Sequence, residues 1–210
     1  MSTLQAETAH QVYQDKENRN PFIQGYTLDD KLSDRHHSVY HNFETNKSHM
    51  AIRGSANPFS KTGFNDWTKT NPMLFLGKEE ETKRFAKSER KLSLVKEKYG
   101  DSISLSGHSL GGQITARLSG KHDVKADAYN PGSFLFQTAR NLKCAAFNTT
   151  ECANQSKNLT VHTVEGDPLS LGWHVSHGAS SRRHIRYAAK PGLHPHHMAN
   201  FLTPAASRRD

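Results

Sequence analysis

A chain of 210 residues is long enough for one α/β domain with a sizeable core and short for two such domains. Only 34% of its residues are hydrophobic, its mean hydropathy is −0.79, and no segment approaches the roughly 20 apolar residues of a membrane span. No secretory signal is visible in residues 1–24, so composition excludes a membrane-spanning chain and predicts a soluble protein, cytoplasmic or of unassigned compartment.

The first half of the chain is predicted to be irregular at its start and then to form strands. Residues 1–35 are polar and contain turn-forming Asn and Pro, which predicts an irregular lead-in. Short strands are predicted at 37–42 and 48–53. The connection 55–76 then carries several large apolar side chains, which favour either a segment folded onto the core or a mobile cover over a site.

Helices and strands alternate in the second half of the chain. Apolar residues at helical spacing and i,i+4 pairs of opposite charge predict a helix over 78–99. Strands are predicted at 102–106, 125–129, 159–164 and 184–188, and a polar surface loop at 146–160. This alternation indicates an α/β fold with a mostly parallel central sheet flanked by helices. We expect a single domain over 36–203, followed by a basic tail at 204–210.

The positive charge is concentrated near the end of the chain. The formal net charge is +8, and residues 181–210 hold six lysines and arginines against Asp210 alone, a local balance of +5. Such a segment can face anionic lipid, nucleic acid or only solvent. Because no nucleic-acid motif and no interleaved aromatic residues accompany the charge, we expect no nucleic-acid partner, while peripheral contact with an anionic membrane stays open.

A Gly-x-Ser-x-Gly motif carries the strongest chemical signal. It consists of Gly107, His108, Ser109, Leu110 and Gly111. The strand before it and the helix predicted after it at 112–118 are what a nucleophile elbow needs. The sharp turn leaves no room for side chains at its two outer glycines, and Gly112 lets the helix approach the strand. At the helix N-terminus, the Leu110 N–H would face a developing oxyanion. An ordinary Gly/Ser-rich loop is the alternative, since the bare motif is common.

An activated serine also needs a histidine as base and an acid to hold that histidine's tautomer. Asp167 follows the strand at 159–164, in Gly-Asp-Pro, where its carboxylate would face the site. Asp123, in a turn, and Asp127, inside a strand, are the rival acids, and a simple turn aspartate is the alternative for Asp167. The chain order of an α/β-hydrolase, serine then acid then histidine, favours Asp167.

Three histidines, His194, His196 and His197, crowd together near the end of the chain and compete for the role of base. Read as a metal site, the cluster lacks cysteine and lacks a helical His-x-x-x-His pair with a carboxylate. We therefore expect no metal ion, and serine chemistry requires no cofactor.

The two cysteines of the chain, Cys144 and Cys152, lie eight residues apart in a polar stretch. The absence of a visible export signal favours reduced thiols, and a short loop disulfide between them stays open.

Five short motifs follow one another in a fixed order along the chain. They are Ala-Ile-Arg-Gly-Ser at 51–55, Asp-Trp at 66–67, Gly-His-Ser-Leu-Gly-Gly at 107–112, Gly-Asp-Pro at 166–168 and His-x-x-x-Asn-Phe at 196–201. The first is similar to a strand ending in Arg-Gly-Thr. Together the motifs resemble the class 3 lipases, the fungal-type triacylglycerol lipase family of the α/β-hydrolase fold, and more closely their small, shortened relatives.

This resemblance, which covers 37–202, implies a catalytic triad of Ser109, Asp167 and His196, with His196 favoured over His197 by the terminal motif. It implies oxyanion-hole donors at Ser55 and Leu110, with serine in the place of the commoner threonine.

The function implied by the resemblance is hydrolysis of carboxylic esters through an acyl-enzyme. Lipid esters, of triacylglycerol or phospholipid type, are the expected substrates. A soluble esterase with no preference for interfaces is one alternative. A non-catalytic binding protein that retains the hydrolase fold is the other.

Overall fold

The computed structural model describes residues 3–55, 78–132, 147, 149–170, 183–202 and 207–209. Its α-helices are α1 (Leu4–Gln11), α2 (Lys78–Tyr99), α3 (Leu110–His122) and α4 (Thr150–Asn158). Its strands are β1 (Phe22–Ile23), β2 (Tyr26–Leu28), β3 (His37–Asn42), β4 (Lys47–Ile52), β5 (Ile103–His108), β6 (Lys125–Tyr129), β7 (Leu159–Val164), β8 (Arg183–Tyr187) and β9 (Ser207–Arg209). Short 3-10 segments span Lys16–Asn18, Pro168–Ser170 and Met198–Phe201.

The strands form one sheet in chain order, from β1 at one edge to β9 at the other. The central strands β4 to β8 run parallel, and the flanking pairs are antiparallel. Ile52 of β4 lies beside Gly107 of β5, and His108 lies beside Tyr129 of β6, so these strands finish at a common edge. The predicted α/β class with a mostly parallel central sheet is confirmed.

Both faces of the sheet are covered. Leu105 of β5 belongs to a core cluster with Leu92 of α2 and Ile114 of α3, and burying each such side chain stabilises the fold by about 1.5–3 kcal/mol. The next residue, Ser106, points to the opposite face because strand side chains alternate. Its hydroxyl lies 3.3 Å from Thr8 Oγ1 of α1. A second cluster on that face contains Ala6, Ala9, Tyr129, Val164, Met198 and Phe201.

The N-terminal segment is part of this architecture, so the prediction of an irregular lead-in over 1–35 is wrong. Residues of this segment form α1, β1 and β2, and the two strands extend the sheet. Arg19 is only 3% exposed. Its guanidinium donates to the carbonyls of Val12, Gln14, Asp34, Arg35 and His37. A polar sequence therefore folds here around a buried cation that backbone carbonyls solvate, a device that apolar periodicity does not reveal. The domain bounds 36–203 stay a prediction.

Residues 150–158, predicted as part of a polar loop, form α4 instead. Thr149 caps this helix, since its Oγ1 accepts a hydrogen bond of 3.3 Å from the Cys152 N–H. Gln155 is buried, and its Nε2 donates to the Ala116 carbonyl of α3 at 3.0 Å. A capping hydroxyl and a side-chain amide therefore help to hold this helix, and apolar periodicity in the sequence reveals neither of them.

Cys152 is disulfide-bonded, so the expectation of reduced thiols is wrong. The other cysteine of the chain, Cys144, lies outside the described residues.

For two further predictions, the structure bears only on the residues that it describes. Apart from Ser55, the apolar connection 55–76 lies outside them, so its role as a cover stays a prediction. Among the helices that are described, none has the length and apolarity needed to cross a membrane.

Candidate active site

Ser109 stands on a tight turn between β5 and α3, at the edge where the parallel strands end. Its backbone has φ 58° and ψ −123°, a region that costs a non-glycine residue about 1–3 kcal/mol. The turn is held by a hydrogen bond from the Ser109 N–H to the Tyr129 carbonyl and by one from the Gln113 N–H to the Ser109 carbonyl, both 3.1 Å. The surrounding sheet therefore maintains a strained conformation that presents the serine beyond the strand end.

The glycines of the motif are required by close packing. A Cβ on Gly107 would strike the backbone of Gly111, and a Cβ on Gly111 would strike the Ile52 carbonyl at the end of β4. A Cβ on Gly112 would lie 3.2 Å from Pro131 and from the Gly107 carbonyl. The elbow thus sits directly against the chain that leaves β4.

That contact brings the predicted oxyanion segment to the serine. A Cβ placed on Gly54 would come within 3.1 Å of Ser109 Cβ, so the backbone of Gly54 adjoins the serine side chain. Ser55 follows it and is exposed. Leu110 opens α3, and the first N–H groups of a helix have no intrahelical acceptor. Two backbone segments that carry N–H donors therefore flank Ser109.

His196 and Asp167 form a buried pair. The two residues are 2% and 3% exposed, and His196 Nδ1 donates to Asp167 Oδ2 at 2.9 Å. The same carboxylate accepts hydrogen bonds from Ser170 Oγ at 2.6 Å and from the Leu169 N–H at 3.1 Å. Because Nδ1 carries its proton towards the carboxylate, Nε2 is the ring nitrogen that can take up a proton.

The loop that carries His196 is tied to the elbow through His108. The rings of His108 and His196 lie 4.8 Å apart, and His108 Nε2 lies 2.7 Å from the His196 carbonyl oxygen. Asn200 fixes the same loop, since its Nδ2 donates to three carbonyls. These are the carbonyls of His194, Pro195 and His197. The structure therefore brings Ser109, His196 and Asp167 to one edge of the sheet, and it gives the Asn of the His-x-x-x-Asn-Phe motif a structural role.

The rival acids have local roles elsewhere. Asp127 accepts a hydrogen bond of 2.7 Å from His162 Nε2 inside the sheet. Asp123 takes a left-handed conformation as the C-cap of α3. Neither is the carboxylate that pairs with His196.

The rival histidines bond their own loop. His194 Nδ1 accepts from the His196 N–H at 3.2 Å. His197 caps the following 3-10 segment, since its Nδ1 accepts from the Ala199 N–H at 3.1 Å.

A second Ser-His-Asp arrangement occurs away from this edge. His37 Nδ1 lies 2.9 Å from Asp34 Oδ1, and His37 Nε2 lies 2.9 Å from Ser88 Oγ. Both Ser88 and His37 are fully buried, and Ser88 Oγ also donates to the Arg84 carbonyl at 2.8 Å. This arrangement joins α2 to β3, and no substrate could reach its serine without opening the core.

Tyr13 is a residue of the site that sequence reasoning missed. Its hydroxyl lies 2.8 Å from His108 Nδ1 and packs against Gly54, where an added Cβ would strike it. Burial raises the pKa of Tyr13. Burial also lowers the pKa of His108 well below its usual range, and the neighbouring His196 adds to that effect. No signal in the sequence identifies Tyr13, because it lies in a polar segment far from every motif.

Metal ligation finds no support in the described ranges, where no group of three or more His, Cys, Asp or Glu side chains is arranged to hold an ion.

A serine on a strand-turn-helix elbow, at the carboxyl edge of a parallel sheet with helices on its faces, defines the α/β-hydrolase type of fold. Comparison with solved structures agrees with this assignment. A mutant form of MDLA, a lipase from Penicillium cyclopium, is similar over 90% of this chain and 78% of its own, with a TM-score of 0.53 and 16% identity.

A triacylglycerol lipase from Penicillium expansum aligns over 97% of this chain and 80% of its own, with a TM-score of 0.45 and 10% identity. No family model matches the sequence, and no curated protein matches it. The similarity to MDLA shows that the chain shares the fold of a fungal lipase, which confirms the predicted α/β-hydrolase-like fold.

Proposed function

We propose that this protein is a serine hydrolase that cleaves carboxylic esters with Ser109, His196 and Asp167. The observation that carries the proposal is the buried His196–Asp167 pair, 2.9 Å between Nδ1 and Oδ2, held against the elbow that presents Ser109. The fold, shared with a fungal lipase, supports ester hydrolysis as the reaction class.

In the proposed reaction, Ser109 Oγ attacks the ester carbonyl carbon while its proton passes to His196 Nε2. The carbonyl π electrons move to oxygen, and the N–H groups of Ser55 and Leu110 stabilise the oxyanion, each by about 3 kcal/mol. Asp167 stabilises the imidazolium. The C–O bond to the alcohol then breaks, and His196 returns the proton to the leaving oxygen. Water repeats these steps on the acyl-enzyme and releases the acid.

Lipid esters are the proposed substrates, of triacylglycerol or phospholipid type. The large apolar residues of the 55–76 connection favour an acyl-binding cover, and the basic segment 181–210 favours attraction to an anionic membrane. A soluble esterase and a non-catalytic binding protein are the competing functions. Measuring hydrolysis of one ester below and above its solubility limit distinguishes a lipase from a soluble esterase, because the rate of a lipase rises when an interface forms.

The first prediction concerns Ser109→Ala. We expect purified wild-type protein to hydrolyse at least one of three ester classes, namely triacylglycerols, phospholipids and short-chain esters. Ser109→Ala should lower that rate by at least about 10³-fold, because the nucleophile is lost while the oxyanion donors remain. Ser88→Ala, at the enclosed second arrangement, is the matched control and should retain most of the activity. Unchanged hydrolysis by Ser109→Ala would overturn the proposal.

A further inference from the structure

We propose that Tyr13 is a positioning residue for the Ser109 reaction, joining the oxyanion segment to the loop of His196 through a packing contact with Gly54 and two successive hydrogen bonds. The Tyr13 hydroxyl packs against Gly54, where an added Cβ would strike it. It also lies 2.8 Å from His108 Nδ1, and His108 Nε2 lies 2.7 Å from the His196 carbonyl oxygen. This inference rests on the proposed function.

The chemistry of the groups fixes the direction of both hydrogen bonds. A carbonyl oxygen only accepts, so His108 Nε2 must carry a proton and donate it to the His196 carbonyl. Burial keeps His108 neutral by lowering its pKa, and a neutral imidazole with its proton on Nε2 accepts at Nδ1. The Tyr13 O–H therefore donates to Nδ1.

This chain of contacts matters because its two ends belong to different parts of the proposed machinery. Gly54 precedes Ser55 and adjoins the Ser109 side chain, whereas the His196 carbonyl belongs to the loop that carries the base. The two parts follow β4 and β8 and are far apart in the sequence. Only non-covalent contacts can therefore fix the distance between them. Errors of about 1 Å in such placements can cost 10²-fold in rate. A hydroxyl that fixes the position of one segment relative to the other therefore affects the rate of the chemical step.

Tyr13→Phe isolates the hydroxyl from the rest of the side chain. The aromatic ring remains, and so does the contact with Arg53, whose guanidinium carbon lies 5.4 Å from the ring centroid. Tyr40→Phe is the matched control. Tyr40 is fully buried, and its hydroxyl donates to the Asn20 carbonyl at 3.0 Å, so it also loses one hydrogen bond, but away from the site.

The experiment compares kcat and KM for a soluble ester in wild type, Tyr13→Phe and Tyr40→Phe. We expect Tyr13→Phe to lower kcat by about 10- to 100-fold with KM within about twofold, while Tyr40→Phe leaves kcat near the wild-type value. A merely structural role would affect both variants alike. Equal kcat in Tyr13→Phe and Tyr40→Phe would overturn the inference.

His108→Gln tests the same chain from its middle, and it keeps the inference falsifiable if Tyr13→Phe does not fold. Combined with Tyr13→Phe, it should cost no more than the worse single variant, because both break one chain. Additive losses would contradict the inference. If wild type is active and Tyr13→Phe is unaffected, only this inference is wrong. If wild type does not hydrolyse esters, both the proposed function and the inference are wrong.

Discussion

Three hydrogen-bond donors converge on the Asp167 carboxylate, one of them His196 Nδ1. An amide in its place would turn an N–H towards one of these donors and would favour the wrong tautomer of His196. We therefore expect Asp167→Asn to lower kcat by about 10³- to 10⁴-fold.

Asp127→Asn is the control for this prediction, since Asp127 pairs with His162 at 2.7 Å elsewhere in the sheet. It should change kcat little. Steady-state kinetics on one soluble ester measures both variants. Equal losses in the two would mean that the His196–Asp167 pair has no special part in the reaction.

Single residues also show what the sequence could and could not predict about the site. Ser109 and its glycines were predictable because a sharp turn imposes its composition locally. Asp167 was predictable because it follows a recognisable strand. Tyr13 was not, since its role depends on a chain path that places α1 and the following turn against β5. Choosing His196 from its neighbours required a family motif, because nothing local distinguishes three adjacent histidines.

At the scale of elements, the N-terminal segment depends on one buried cation. Arg19 donates to five backbone carbonyls, at distances between 2.8 and 3.4 Å. Lysine keeps the charge but has three donors and no planar fork. We expect Arg19→Lys to lower the free energy of unfolding by about 2–3 kcal/mol.

Urea unfolding followed by circular dichroism measures this change. Arg90, an exposed residue of α2, provides the control, and Arg90→Lys should stay within about 0.5 kcal/mol of wild type. A stability loss for Arg19→Lys no larger than for Arg90→Lys would show that the buried hydrogen bonds contribute nothing net.

The elements themselves were predicted unevenly. Helix α2 and strands β5 and β7 were predictable, because helical spacing or alternation of apolar residues marks each of them. Helices α1 and α4 were missed, since their sequences are mostly polar: α1 buries only small side chains such as Ala6 and Ala9, and α4 uses a cap and a side-chain hydrogen bond. The local pattern of apolar residues indicates which side chains face the core. It does not indicate which backbone groups will form hydrogen bonds with distant segments.

At the scale of the whole molecule, buried histidines tie stability to pH. His49 is fully buried, its two ring nitrogens lie 2.8 Å from Ser104 Oγ and Ser106 Oγ, and burial lowers its pKa to about 4. Burial also lowers the pKa of His36 to about 4, with Arg84 and Lys87 adding to the effect. The folded protein therefore holds these rings neutral where the unfolded chain would protonate them.

The sign of the effect follows from that difference. The unfolded histidine, with a pKa near 6.5, binds a proton before the folded one does, so the contribution to stability is full above about pH 6.5 and is lost as the pH falls towards 4. Lowering the pH from 7.5 to 5 should therefore lower the free energy of unfolding by about 2 kcal/mol through His49 alone.

Urea titrations at the two pH values test this prediction. His49→Gln should make the dependence on pH shallower by the amount that His49 contributes. Greater stability at pH 5 than at pH 7.5 would contradict the prediction.

Covalent labelling is the most direct test of whether Ser109 is the nucleophile of an active triad. Folded wild-type protein would be treated with a fluorophosphonate, digested, and analysed by mass spectrometry to locate the adduct. We expect one adduct, on Ser109, which His196→Ala abolishes. Absence of any adduct on folded protein, or an adduct on another serine such as Ser88 with Ser109 unmodified, would contradict it.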